Sequence, residues 1–327
     1  MKKTGGALQQ GHRRVPWLLV TAAVFLTLTA ILAATIAFGV ARPPTPLPSV
    51  AEAIKHLDLS GLPPLSRYRA RDGAMLAYRA YPGDGHRVAV LIHGSSGQSP
   101  QMHALARTLQ QAGVAAYALD MRGHGSSGQR GDLAYIGQLD DDLADFVAQI
   151  PKHPDAVTLI GFSAGGAFTL RIAGGRYGDL FDRYIAIAPA LIYPKGVARP
   201  GNGGWATVSV PRIVGLAVLN RVGIHQFDGL NAVNYAAPAD DAFFTRTYSY
   251  RLAMNFSPGL DYLSALKHVK KPIMVIDGAD DEEFYADKYG PLLKPVNPDI
   301  EVEIIPGVGH IGAMNAPAML EAVQRKF

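Results

Sequence analysis

Apolar runs and segments of helical periodicity alternate along most of the chain beyond residue 86. Residues 88–92, 114–119 and 156–160 are almost wholly apolar, and each run is followed by a stretch with apolar residues at helical spacing. Continuous apolar strands of this kind are typical of parallel sheets that helices cover on both faces. The pattern therefore predicts an α/β fold with a mostly parallel central sheet and helices on both faces. Further strand-like runs lie at residues 184–188, 272–276 and 301–305.

One long stretch, about residues 191–260, interrupts the alternation. It begins rich in glycine and proline and then carries apolar and aromatic residues, among them Trp205, Phe243 and Phe244. Insertions of this length rarely lack structure of their own. We expect a cap over the edge of the sheet where the parallel strands end. Its aromatic residues fit the small core of a cap and the lining of a ligand pocket equally well.

The N-terminal region contains a hydrophobic segment of membrane-spanning length. The 25 residues from 17 to 41 include no charged side chain. As a helix they would extend about 37 Å, and the hydrocarbon core of a bilayer is about 30 Å thick. The apolar region of a signal peptide is usually shorter. We therefore interpret residues 17–41 as a single-pass transmembrane anchor, with cleavage after the Gly-Val-Ala sequence at residues 39–41 as the alternative.

Charge asymmetry predicts the orientation of this anchor. Residues 1–16 contain four basic residues and no acidic one. Positively charged flanks stay in the cytoplasm, so residues 1–16 are predicted to form a cytoplasmic tail. The proline-rich residues 42–50 are predicted to be a stiff linker, because proline fixes φ and lacks an N–H group. Residues 51–327 would then form a domain outside the cell membrane, which is the periplasm in a Gram-negative cell.

Composition excludes several classes of function. The formal net charge is +4, but 27 basic and 27 acidic residues remain once the four basic residues of the tail are set aside. The domain is therefore neutral and gives no indication of a nucleic-acid partner. The chain contains no cysteine, so it has neither disulfide bonds nor a thiol nucleophile.

The pentapeptide GFSAG at residues 161–165 is the strongest chemical signal in the sequence. It follows the predicted strand at 156–160 and precedes a helical pattern at 164–173. A G-x-S-x-G sequence between a strand and a helix is typical of a nucleophile elbow, in which a strained turn exposes the serine hydroxyl above the sheet. Ser163 is the predicted nucleophile. An ordinary glycine-rich turn is the alternative, because the chain has 35 glycines.

A serine nucleophile needs a base, and the base needs a carboxylate that orients it. Around a nucleophile elbow these partners follow in the chain order serine, acid, histidine. Three histidines follow Ser163: His225, His268 and His310. His310 closes a glycine-rich loop after the last predicted strand and is the predicted base. The other two are expected to lie in the cap and at a solvated helix end.

The acid is expected in the run DGADDEE at residues 277–283, which follows the predicted strand at 272–276. Asp281 is the predicted acid and Asp280 is its rival. Asp277 is expected to cap the backbone, and the remaining acids are expected to be solvated. The oxyanion hole needs two backbone N–H groups. We predict that Ala164, directly after the nucleophile, and Ser95, in the loop after the strand at 88–92, supply them.

Together these motifs resemble the monoacylglycerol lipase/lysophospholipase branch of the α/β-hydrolases, which is similar to the serine aminopeptidases of family S33. The resemblance extends from about residue 68 to the C-terminus. The motifs that support it are, in chain order, His93-Gly94, the DMRGHGSSG stretch at 120–128, the GFSAG elbow, Gly278-x-x-Asp281 and His310. The resemblance implies an α/β-hydrolase fold at residues 51–327, with the cap at about 191–260. It also implies ester hydrolysis through an acyl-enzyme, without metal or organic cofactor, and a structural role for Asp120 and His124.

Three functions remain open at this point. The first is a membrane-anchored serine esterase whose partner is a small acyl ester or lipid, such as a monoacylglycerol or lysophospholipid. The second is an S33-type aminopeptidase, which would need a cap carboxylate to hold a substrate amine; Asp228, Asp240 and Asp241 are the candidates by position. The third is a binding module without catalysis, because fold alone does not establish activity.

Overall fold

The computed structural model describes residues 17–150, 154–192, 196–238 and 242–327. The predicted tail at residues 1–16 therefore lies outside the described residues. The strands are β1 (Leu65–Arg69), β2 (Met75–Tyr81), β3 (Arg87–Ile92), β4 (Ala115–Leu119), β5 (Ala156–Phe162), β6 (Arg183–Ile187), β7 (Ala206–Val208), β8 (Asn231–Tyr235), β9 (Thr247–Ser249), β10 (Ile273–Gly278) and β11 (Glu301–Ile305).

Eight of these strands form the central sheet, in the spatial order β1-β2-β4-β3-β5-β6-β10-β11. Strand β2 runs antiparallel to both of its neighbours, β1 and β4; the pairs from β4 to β11 are all parallel. The mostly parallel sheet predicted from the apolar runs is confirmed. Because the strands are parallel, their carboxyl ends meet at one edge, where sites form in open α/β sheets.

Helices cover both faces of the sheet. The α-helices of the described residues are α1 (Trp17–Phe38), α2 (Pro48–Lys55), α3 (His103–Gln111), α4 (Gln138–Val147), α5 (Ala164–Gly174), α6 (Val210–Arg221), α7 (Tyr250–Asn255), α8 (Tyr262–Leu266), α9 (Tyr289–Leu293) and α10 (Pro317–Gln324). Val90 of β3 packs in the core that contains α4 and α5, whereas its neighbour Leu91 packs in the core that contains α3 and α10. Successive side chains of a strand point to opposite faces, so an unbroken apolar run serves both cores.

The insertion between β6 and β10 forms a structured cap. Its three strands make a separate antiparallel sheet in the order β7-β8-β9, and α6 and α7 belong to the same insertion. The cap contacts the catalytic loops, since Trp205 Nε1 donates a hydrogen bond of 2.8 Å to Ser95 Oγ.

Helix α1 is long and apolar enough to cross a membrane, judged by length and composition. The residues after it differ from the linker that the sequence predicted. Leu47 N–H donates to Ala236 O at 2.9 Å. Helix α2 begins at Pro48, where proline is tolerated because an N–H group in the first turn would have no intrahelical acceptor. The expected boundary at residue 51 falls inside α2. The hydrogen bond from Leu47 shows that the predicted linker is packed against the cap.

Candidate active site

Ser163 occupies a strained turn between β5 and α5. Its φ is 53° and its ψ is −116°, a conformation that costs a side-chain-bearing residue about 1–3 kcal/mol. The flanking glycines make the turn possible, because a Cβ on Gly161 would lie 2.0 Å from the carbonyl oxygen of Gly165. A Cβ on Gly165 would lie 2.5 Å from the carbonyl oxygen of His93. The GFSAG sequence therefore forms an elbow, with Ser163 held at the carboxyl end of β5.

The structure brings Ser163, His310 and Asp281 into one hydrogen-bonded chain. Ser163 Oγ lies 3.0 Å from His310 Nε2, and His310 Nδ1 lies 2.7 Å from Asp281 Oδ2. The other oxygen of Asp281 accepts hydrogen bonds from the amides of Glu283 at 2.7 Å and Phe284 at 2.6 Å. These bonds fix the carboxylate and leave one oxygen for the imidazole. The side chains of Ser163, His310 and Asp281 are all buried.

The rival residues are not part of this chain. Asp280, next to the acid, is exposed. His225 lies in the cap, where its Nδ1 is 2.9 Å from Asn220 Oδ1. His268 follows α8 and is exposed. Of the candidates that the sequence left open, the geometry joins only Asp281 and His310 to Ser163.

Burial and nearby carboxylates have opposite effects on the pKa of His310. Burial lowers the pKa of the imidazole, but the charge of Glu283 and the hydrogen bond that the imidazole donates to Asp281 outweigh it and raise the pKa to about 9. Burial raises the pKa of Asp281, and the hydrogen bond to His310 more than offsets this and holds it below its usual value. Burial and the charge of Asp281 raise the pKa of Asp277 to about 8. The buried acids therefore carry different charges near neutral pH.

The expectation that the remaining acids of residues 277–283 are solvated is wrong for Glu283. Its side chain is 7% exposed, and Oε1 lies 3.8 Å from His310 Nε2. Burial raises the pKa of its carboxyl to about 7. Glu282 also has a local role, because its carboxylate accepts from the amides of His310 at 2.7 Å and Ile311 at 3.0 Å. A run of four acids indicates a solvated surface, and sequence alone gave no signal that Glu283 faces the site.

Two backbone amides are available near Ser163. Among the described residues, neither the Ser95 amide nor the Ala164 amide donates a hydrogen bond. Neighbouring amides are occupied: Gly94 N–H donates to Gln101 Oε1 at 2.8 Å, and Ser96 N–H donates to Tyr248 OH at 2.6 Å. Ala164 is also the first residue of α5, where N–H groups have no intrahelical acceptor. The two predicted donors are therefore unoccupied at the site.

The remaining motif residues hold loops together. Asp120 accepts hydrogen bonds from the amides of Ser99 at 2.8 Å and Ser126 at 2.9 Å. His93 Nδ1 lies 2.8 Å from Gly94 O, and its Nε2 accepts from the Met121 amide at 3.2 Å. Burial lowers the pKa of His93, in keeping with a neutral ring that donates from Nδ1. His124 is hydrogen-bonded to Tyr248 OH.

A mostly apolar pocket opens above Ser163. Trp205 and Phe244 of the cap line it, together with Phe162 and Met314. Phe243 packs against Phe244 with ring centroids 5.2 Å apart and is not part of the lining. Trp205 and Phe244 therefore line the pocket and also pack in an apolar cluster of the cap, so both expected roles apply to them. Val50, Ala53 and Leu57, from the segment after α1, line the pocket as well.

Of the three cap carboxylates considered for an aminopeptidase, Asp228 is among the described residues and does not line this pocket. Asp228 is bound within the cap, at 2.6 Å from Asn220 Nδ2 and 3.3 Å from His225 Nδ1. Asp240 and Asp241 lie outside the described residues. Among the described residues, no cluster of three or more histidine or acidic side chains could hold a metal ion.

Comparison with known proteins gives a family and a fold. The family "Serine aminopeptidase, S33" matches residues 83–312. A curated monoacylglycerol lipase of Mycolicibacterium smegmatis is 31% identical over 120 residues, which are 35% of this chain and 42% of that protein. The chain spans less than two thirds of the length of the curated relatives that it matches.

Solved structures share the fold at low sequence identity. A soluble variant of monoglyceride lipase from Saccharomyces cerevisiae superposes with a TM-score of 0.61 at 17% identity, over 81% of this chain and 93% of that one. The monoacylglycerol lipase of Paleococcus ferrophilus superposes with a TM-score of 0.58 at 20% identity, over 77% of this chain and 96% of that one. These likenesses confirm the α/β-hydrolase fold that the motifs implied.

Proposed function

We propose that this chain, which belongs to the serine aminopeptidase S33 family, is a membrane-anchored serine hydrolase of carboxylic esters in the monoacylglycerol lipase branch of that family. Its substrates are monoacylglycerols, lysophospholipids or similar acyl esters. The observation that carries this proposal is the hydrogen-bonded chain from Ser163 through His310 to Asp281 beneath an apolar pocket. Such a chain activates a hydroxyl, and apolar walls suit an acyl group.

The reaction follows from the distances. His310 Nε2, 3.0 Å from Ser163 Oγ, takes the hydroxyl proton as the oxygen attacks the ester carbonyl. Asp281 keeps the imidazole oriented and stabilises the imidazolium. The amides of Ser95 and Ala164 donate to the negative oxygen of the tetrahedral intermediate. When the intermediate collapses, His310 returns the proton to the departing alcohol. A water molecule, deprotonated by His310, then hydrolyses the acyl-enzyme.

An aminopeptidase on the same site is the second candidate. The observation in its favour is the buried carboxylate of Glu283, which lines the pocket 3.8 Å from His310 Nε2 and could bind an amine. The apolar pocket walls favour the esterase. A binding module without catalysis is disfavoured, because an assembled Ser-His-Asp chain has no use in simple binding.

The membrane anchor is supported by how the cap holds the end of α1. Arg212 is buried and donates to the carbonyls of Ile36 at 2.8 Å and Ala37 at 3.1 Å. Ala41 N–H donates to Ser209 Oγ at 2.7 Å, and Ala41 O accepts from Asn234 Nδ2 at 3.0 Å. Cleavage after residue 41 would cut through this docked stretch, so we favour the anchor over a cleaved signal. The basic residues of the tail favour an orientation with the domain outside the cytoplasm.

A substrate panel separates the two enzymatic candidates. The full-length protein in detergent would be assayed with p-nitrophenyl esters, monoacylglycerols and lysophospholipids, and with aminoacyl p-nitroanilides. We expect ester turnover to exceed anilide turnover by at least about 100-fold in kcat/KM, a difference of about 2.7 kcal/mol in transition-state binding. Turnover of the anilides alone would favour the aminopeptidase. Absence of turnover on every substrate would contradict both enzymatic candidates.

A further inference from the structure

One wall of the active-site pocket comes from the segment between the membrane helix and the central sheet. Val50 and Ala53 of α2 and Leu57 just after it line the same pocket as Ser163. The family match begins at residue 83, so all three lie outside the part of the chain that the family shares. The sequence predicts that Val50 ends a linker at residues 42–50 and that Ala53 and Leu57 lie in the domain that begins at residue 51, and it predicts a pocket role for none of the three.

The cap fixes this segment in place. Thr207 Oγ1 donates to Arg42 O at 2.7 Å, and Leu47 N–H donates to Ala236 O at 2.9 Å. Val50 is 6% exposed and packs in a cluster that contains Trp205 and Phe244, the two cap aromatics of the pocket. Hydrogen bonds fix the backbone of this segment, and apolar packing fixes the side chain of Val50. The segment is therefore an ordered part of the pocket wall.

The wall is also continuous with α1. Helix α6 of the cap packs against the last turns of α1 at very short range. A Cβ on Gly215 would lie 2.6 Å from Ile36 Cγ1, and a Cβ on Gly39 would lie 2.9 Å from Pro211 Cβ. Glycine at both positions permits this close approach. The guanidinium of Arg212, bound to the carbonyls at the end of α1, adds the favourable interaction of a cation with a helix C-terminus.

We propose that residues 41–57, the juxtamembrane segment, form part of the substrate-binding site, and that Val50, Ala53 and Leu57 set the length of acyl chain that the pocket accepts. The inference rests on the proposed ester hydrolase. The segment contributes contacts to the acyl chain and none to the reacting atoms, so it affects long-chain substrates and spares short ones. Each methylene that the pocket buries should raise kcat/KM about fourfold until the pocket is full.

Two opposite substitutions test the wall. Ala53→Phe adds bulk to the lining, whereas Leu57→Ala removes it. The matched control is Leu59→Ala, because Leu59 lies two residues beyond the segment, is 40% exposed and is not part of the lining. The full-length variants would be assayed with p-nitrophenyl esters from acetate to palmitate. Labelling by a fluorophosphonate and turnover of the acetate would show that each variant is folded and active.

We expect Ala53→Phe to lower kcat/KM for long-chain esters by about tenfold or more, the loss of two or so buried methylenes, and to shift the preferred chain shorter. Leu57→Ala should weaken the dependence on each methylene and shift the preferred chain longer. Ala53→Phe should lose less activity on acetate than on palmitate, and Leu59→Ala should hydrolyse acetate within about twofold of the unmodified protein, a change of less than about 0.5 kcal/mol. Leu59→Ala should keep the unmodified chain-length profile.

The results separate this proposal from the one on which it rests. An unchanged chain-length profile in Ala53→Phe and Leu57→Ala, or equal losses on acetate and palmitate, would overturn the proposed wall and leave the ester hydrolase standing. A protein that hydrolyses no ester of any length would overturn both. As a readout independent of turnover, a fluorophosphonate with a photoreactive alkyl chain should cross-link to residues 48–57. Cross-links that avoid this segment would also overturn the wall.

Discussion

Glu283 Oε1 lies 3.8 Å from Nε2 of His310, the nitrogen that is hydrogen-bonded to Ser163. A carboxylate at this position stabilises the protonated imidazole, and burial of both groups strengthens the interaction. It acts beside Asp281, which binds the other nitrogen. The proposed base therefore faces more negative charge than its orienting partner alone provides.

The pH dependence should reveal this charge. His310 acts as a base only when it is neutral, and its pKa is raised to about 9. We expect kcat/KM to increase with pH from neutral to about 9. Glu283→Gln removes the charge and keeps the shape, so the inflection should move to lower pH. The measurement is a pH–rate profile on a short ester, corrected for spontaneous hydrolysis. The same inflection in both proteins would contradict a role for Glu283.

Asp281 and Asp280 offer a matched pair for identifying the acid. Asp281→Asn should lower kcat by about 10⁴-fold, because the neutral amide holds the imidazole in the wrong tautomer and cannot stabilise the imidazolium. Asp280→Asn should stay within about threefold of the unmodified protein, since an exposed residue without contact to the site contributes little. Steady-state turnover of one ester by both variants measures this. If Asp280→Asn were the inactive variant, the acid would be Asp280.

The docking of α1 on the cap should contribute to stability. Arg212 donates to three backbone carbonyls, those of Ile36, Ala37 and Asn231. Arg212→Ala should lower the free energy of unfolding by roughly 2–3 kcal/mol, because buried acceptors lose charged donors. This should lower the Tm by several degrees in detergent. Arg221→Ala, at an exposed position on the same helix, is the control. Equal Tm values for the two variants would mean that the contact contributes nothing.

Membrane topology can be tested with reporters at the C-terminus. The basic residues before α1 predict that the domain lies outside the cytoplasm. An alkaline phosphatase fusion, which works only outside the cytoplasm, should therefore be active and fractionate with membranes. A fusion to a reporter that works only in the cytoplasm should be inactive. The reverse pattern would refute the orientation, and an active but soluble fusion would indicate cleavage of the N-terminal segment.

Sequence reasoning reached the fold and the chain of Ser163, His310 and Asp281 because local signals encode them. Apolar runs report parallel strands, and the elbow needs two glycines where any Cβ would collide with a backbone oxygen. Chain order then restricts the partners. These signals depend on residues that are neighbours in sequence or on a fixed topology, so a single sequence is enough to reveal them.

Long-range packing explains what sequence reasoning missed. Glu283 lies in an acidic run that is typical of a surface, and only the fold turns its side chain toward His310. The juxtamembrane segment reads as a spacer because of its prolines, yet Leu47 and Arg42 bond to cap residues about 165–190 positions away. Neither contact leaves a periodic or local pattern in the chain.

The central claim is that Ser163 is the nucleophile that forms the acyl-enzyme. The most direct measurement is labelling of the full-length protein with a fluorophosphonate, followed by mass spectrometry of the labelled peptide. We expect a single adduct on Ser163, no labelling of Ser163→Ala, and ester turnover by that variant reduced by about 10⁴–10⁶-fold. An adduct on another residue, or labelling that persists in Ser163→Ala, would contradict the account.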